Sequence, residues 1–113
     1  MEISQLKTIS ETEAQEIYLL SNQLGYNNDF DLLAGRLKQI ISLDDQVIYV
    51  AKIDDRIVGW LHGVICLRVE SPLFVEVTGL VVDENVRGKQ IGKNLIEASK
   101  NWSRSQNIFQ LRI

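Results

Sequence analysis

Glu76-Val77-Thr78-Gly79-Leu80-Val81-Val82-Asp83-Glu84-Asn85-Val86-Arg87-Gly88-Lys89-Gln90-Ile91-Gly92-Lys93 is the stretch that decides the fold. An apolar, β-branched run enters a short polar loop, and an amphipathic helical pattern follows at once. Such a strand–loop–helix unit is an anion site by construction. The first N–H groups of a helix have no internal partners, and the helix dipole adds positive potential at that end. Gly88 and Gly92 let the backbone approach a ligand closely, and Arg87, Lys89 and Lys93 bring cationic side chains. Two familiar phosphate motifs are absent. There is no Gly-x-x-x-x-Gly-Lys-Ser/Thr run and no Gly-x-Gly-x-x-Gly run.

Working outward, the pattern predicts a helix over residues 88–105, with Ile91, Leu95, Ala98 and Trp102 on one face. Asn107 marks its exit, and a final strand begins at Phe109. Upstream, residues 47–53 and 57–69 read as a hairpin turned by Asp54-Asp55. Pro72 marks the next connection, residues 73–82 read as a further strand, and residues 83–86 as a polar break that solvates the loop. Residues 2–8 read as a first strand. A helix then starts behind Thr12 as N-cap and stops at Gly25, and a second starts near Asp29. The order β-α-α-β-β-β-α-β implies an α/β architecture of α+β type, a mixed sheet with helices on its faces. The last strand–helix–strand unit implies a right-handed crossover.

The chain has 113 residues, 45% apolar and 24% charged, which fits a single globular domain over 1–113. The net charge is −3 and the pI about 5.1, against the basic excess of a dedicated nucleic-acid binder. Cys66 is the only cysteine, so no internal disulfide forms, which suits a reducing cytoplasm. The N-terminus carries no signal-peptide pattern, and no apolar run reaches the roughly 18 residues of a membrane span. No metal cluster is visible, so no metal is expected. The expected location is cytoplasmic.

The run from Val81 to Gly92 resembles the acetyl-CoA motif of the GNAT superfamily of N-acetyltransferases, Arg/Gln-x-x-Gly-x-Gly/Ala. Arg87 takes its first place and Gly92 its last, while Gln90 stands at the middle glycine and keeps the backbone N–H. The element order is that of the GNAT fold as far as its fifth strand, with the family's C-terminal elements missing. The resemblance implies acetyl-CoA as co-substrate and a primary amine, of a small molecule or of a peptide or protein, as acceptor. It implies that the backbone of Leu80, Val81 and Val82 pairs with the pantetheine arm. It implies that Arg87, Gly88, Lys89, Gln90, Ile91 and Gly92 cradle the pyrophosphate and that Lys93 reaches a phosphate.

By the same resemblance Glu76 is the candidate base, since a protonated amine must lose a proton before it attacks. Period two places Glu76 on one face with Thr78 and Leu80. Tyr26 and Asp29 lie where the family's acceptor site is bordered; Asp29 is equally a helix cap. His62 reads as a hydrogen-bonded strand histidine, and Trp60, Trp102 and Cys66 as core packing. None of the three tyrosines lies downstream of the motif, so the family's tyrosine acid has no counterpart. The sheet edge left open beside the fifth strand implies a homodimer over that edge or a longer chain. An alternative class is a catalytically weak acyl-CoA-binding module with an assembly or regulatory role.

Overall fold

The structure, a computed structural model, describes residues 1–25, 27–86, 88 and 90–113. The chain runs β1 (Glu2–Gln5), α1 (Glu11–Gln23), α2 (Phe30–Ile41), β2 (Gln46–Ile53), β3 (Arg56–Arg68) and β4 (Ser71–Val82). A single 3-10 turn (Glu84–Val86) leads to α3 (Ile91–Ser105) and β5 (Leu111–Arg112). The five strands lie side by side in chain order. The first four are antiparallel, and β5 pairs in parallel with β4. The mixed sheet and the order of elements are those the sequence implies.

The two faces carry separate cores. Ile17 and Leu20 of α1 and Leu33 and Leu37 of α2 pack on Ile48, Val50 and Val81. On the other face Ile91 and Leu95 of α3 pack on Ala51, Leu61 and Val77, with Leu80 and Val82 beside them. Trp102 and Ile108 extend this layer over Val47 and Val75.

Several boundaries differ from the expectation, each for a local reason. Ser10, not Thr12, caps α1. Its hydroxyl accepts the Glu13 N–H at 3.1 Å, while the Glu13 carboxylate accepts the Ser10 N–H at 2.9 Å, a reciprocal capping box. Glu13 also pairs with Lys52 of β2 at 3.1 Å, and the Glu16 carboxylate accepts the Ile57 N–H of β3 at 3.3 Å. These contacts fasten the start of α1 to the sheet. Asp29 caps α2 by accepting the Leu32 N–H at 3.1 Å. Pro72 lies inside β4, near its start, where the ladder already pairs Ser71 with Arg68. The buried stripe of α3 runs through Ser99 rather than Ala98. The Ser99 hydroxyl donates to the Ile96 carbonyl at 2.7 Å, so its burial leaves no polar group unpaired. Among the described residues no helix is long and apolar enough to cross a membrane.

Replacing Ser10 by Ala removes one half of the capping box. A loss of about 1 kcal/mol in urea unfolding is expected; a change within error would show that the box adds nothing to the fold.

Candidate active site

The centre of the site is an irregularity in β4. His62 pairs with Gly79 and Gly63 with Val77, which leaves Thr78 as an extra residue without a partner on β3. Strand side chains alternate faces, so one extra residue reverses the alternation downstream. Before the bulge Val75 and Val77 join the α3 layer. After it Val81 joins the α1/α2 layer, while Leu80 and Val82 join α3. The expectation that Glu76, Thr78 and Leu80 share one face therefore fails at Leu80.

On the α1/α2 side of the bulge lies a cavity of about 330 Å³. The helices contribute Ile17, Ser21, Leu33, Arg36, Leu37 and Ile40, with Leu24 and Asn28 from the connection between them. The sheet contributes Ile48, Trp60, His62 and the run from Thr78 to Val81. The lining is mainly apolar with a few convergent polar groups, the usual make-up of a small-molecule site. Arg36 is its one charged side chain among the described residues; it is exposed and donates to the Asn28 amide oxygen at 3.3 Å. Trp60 forms part of the wall, and its buried indole N–H has no partner among the described residues. Its ring lies against Gly79, where a Cβ would come within 2.8 Å of it.

His62 is half-buried and held on both sides. Its Nε2 is 2.7 Å from the Gln46 amide oxygen and its Nδ1 is 3.0 Å from the Thr78 hydroxyl. Burial holds its pKa below the ordinary 6.5, favouring the neutral ring. Glu76 does not line the cavity. It is half-buried between Val64 of β3 and Arg112 of β5, and its carboxylate is 4.0 Å from the Cys66 sulfur. Asp29 does not line the cavity either, since its carboxylate is engaged at the start of α2; its neighbour Asn28 does. Tyr26 lies outside the described residues.

The other half of the site is the β4–α3 junction. Only Val75 and Glu76 of β4 pair with β5, so the same edge of Val77–Val82 has no strand partner among the described residues. Asp83 is buried rather than solvating the loop. Its N–H donates to the Val58 carbonyl at 2.8 Å, and its carboxylate accepts the Asn85 N–H at 3.0 Å and the Gln23 amide at 3.4 Å. Gln23 in turn accepts the Glu84 N–H at 3.3 Å, so the loop is tied to the end of α1.

Gly88 has φ 90° and Gln90 φ 60°, both left-handed. The helix therefore starts at Ile91, later than the sequence pattern implies, with Gln90 as an N-cap whose side chain makes no capping bond. The first turn of α3 carries Lys93, which is exposed, and no acidic residue. Val82, Gly88, Gln90, Ile91 and Gly92 line a depression of about 410 Å³ in front of it. The left-handed backbone at Gln90 is the physical reason a glycine suits this place of the motif. Arg87 and Lys89 lie outside the described residues.

The chain belongs to the acetyltransferase (GNAT) family, whose profile matches residues 11–112. It is accordingly an acyltransferase. Among curated proteins no sequence match was found. The fold is similar to a crystal structure of an aminoglycoside 6'-N-acetyltransferase from Acinetobacter haemolyticus. That match has 16% identity, covers 99% of this chain and 77% of that one, and has a TM-score of 0.84. A GNAT family acetyltransferase from Staphylococcus aureus is similar at 22% identity, covering 99% and 85%, with a TM-score of 0.80. An aminoglycoside N-acetyltransferase in complex with CoA is similar at 20% identity, covering 98% and 74%, with a TM-score of 0.82.

Two substitutions test this geometry. Gly79→Ala pushes a methyl group into the Trp60 ring, and a loss of about 1–3 kcal/mol with altered tryptophan fluorescence is expected. Gly88→Ala forces a side chain into a left-handed backbone and should lower stability by about 1 kcal/mol in the same unfolding assay. Unchanged midpoints for both would contradict the backbone described here.

Proposed function

We propose that the protein transfers the acetyl group of acetyl-CoA to the primary amine of a small molecule bound in the cavity beneath α1 and α2. The observation that carries this reading is a run of β4, from the bulge to Val82, whose edge has no strand partner among the described residues, with an apolar cavity at its start and an uncapped helix N-terminus at its end. Acetyl-CoA supplies the activated thioester, and the chain supplies binding and orientation. The backbone edge of Leu80, Val81 and Val82 pairs with the pantetheine arm. The N–H groups of Gly88 and Gln90 to Gly92 cradle the pyrophosphate, and Lys93 stands beside it. Arg87 and Lys89 join them by their place in the motif. The uncapped start of α3 and the depression in front of it support this assignment.

The acceptor reading is drawn from the cavity lining. Among the described residues it holds no carboxylate, and its one charge is the Arg36 guanidinium. The aminoglycoside substrates in the names of the similar structures are polycations. A polycation would find repulsion there rather than compensation. An amine on an apolar body fits the aliphatic walls and Trp60, and a carboxylate on the same molecule would pair with Arg36. A cytoplasmic location and a homodimer over the outer edge of β5 belong to the same reading.

Calorimetry with acetyl-CoA should give binding that Gly92→Asp removes, since the new carboxylate lies at the α3 N-terminus. Free-thiol release should then follow with 2-phenylethylamine or phenylalanine at a kcat/KM at least about tenfold above that with an aminoglycoside. Preference for the aminoglycoside would contradict the acceptor reading. Binding without thiol release from any amine would favour an acyl-CoA-binding module.

A further inference from the structure

The reading above leaves open how the incoming amine loses its proton, and the inference here rests on that reading. We infer that Thr78 and His62 form the proton-accepting pair of the site, Thr78 contacting the amine and His62 taking the proton at Nδ1. Both side chains line the cavity, and the bulge sets Thr78 at the point where it reaches unpaired β4 backbone.

The tautomer follows from the partners. The Gln46 amide oxygen lies 2.7 Å from Nε2 and only accepts, so Nε2 carries the hydrogen. Nδ1 then presents its lone pair to the Thr78 hydroxyl at 3.0 Å. That hydroxyl also lies 3.3 Å from the His62 carbonyl, a second and longer acceptor for its one hydrogen. The step balances. An ammonium proton passes to the Thr78 oxygen as the Thr78 proton passes to Nδ1, and the imidazolium releases it to water. The freed amine forms the N–C bond to the acetyl carbon as the C–S bond breaks. Its second proton goes to the departing thiolate, giving amide and thiol.

The groups facing His62 favour this role. On α2 the charged residue of the cavity lining is Arg36, which is exposed at the rim. Glu76 of β4 and Cys66 of β3 lie outside the cavity lining. The facing residues of α1 (Ile17, Ser21), its C-cap Leu24, and Gln46 and Ile48 of β2 do not titrate. Burial lowers the His62 pKa, so the ring is a neutral base at physiological pH.

His62 is the single histidine, so its ¹⁵N imidazole signals are unambiguous. Titration of the wild-type protein should show the Nε2–H tautomer and a pKa below 6.5, with Thr78→Val changing the Nδ1 shift. An Nδ1–H tautomer would overturn the inference even if no amine is turned over. With 2-phenylethylamine as probe, His62→Gln and Thr78→Val should lower kcat about a hundredfold. Acetyl-CoA binding should stay unchanged, Thr78→Ser should retain most activity, and the acidic limb of the pH profile should vanish in His62→Gln. Wild-type kcat in His62→Gln, or loss of the acidic limb in Glu76→Gln instead, would assign the base elsewhere. Absence of turnover by the wild type with every amine would count against the proposed function, while the imidazole spectrum still decides the role of His62.

Discussion

The unpaired residue at Thr78 is the constraint on which the site depends. A regular β4 would carry one alternation from end to end. Val81 would then turn toward α3, and Leu80 and Val82 would face α1 and α2. The extra residue lets β4 feed the α3 layer through Val75 and Val77 before the bulge and through Leu80 and Val82 after it. It also sets Thr78 against His62 and Gly79 against the Trp60 ring. The run from Thr78 to Val81 that follows it lines the cavity.

The loop beyond β4 is anchored from the opposite side. Asp83 is buried and bonded to β3, to its own turn and to Gln23 at the end of α1. The start of α1 is fastened by the Ser10–Glu13 box and the Glu13–Lys52 pair. Helix α1 therefore links the cavity, through Ile17 and Ser21, to the loop that leads into α3. The left-handed backbone at Gln90, a residue with a side chain, is a strained point of this arrangement, and it lies at the N-terminal end of α3.

Much of the fold was legible in the sequence. Periodicity gave the order of the elements, because the buried faces of α2, α3 and the central strands are built from aliphatic residues at regular spacing. The Asp29 cap and the strand–loop–helix unit could be read from residue types alone. Ser10 as a cap was also readable, since Ser-x-x-Glu is the capping-box spacing, but Thr12 lies closer to the apolar stripe. Other features leave no one-dimensional signal. Nothing at Thr78 marks a bulge, so alternation carried Leu80 to the wrong face. Ser99 is buried because its own helix satisfies its hydroxyl. Asp83 looks like a solvated loop acid until Gln23, 60 residues away, is brought to it. His62 meets Gln46 and Thr78 only through the strand register, and that register defines the cavity chemistry.

The most direct test of the central claim, that the β4 edge and the start of α3 together hold acetyl-CoA, is an amide chemical-shift titration with CoA. The largest shifts are expected at Gly88, at Gln90 to Lys93 and along Leu80 to Val82, with β1 and β2 unmoved. Shifts centred elsewhere, or none at saturating CoA, would contradict it.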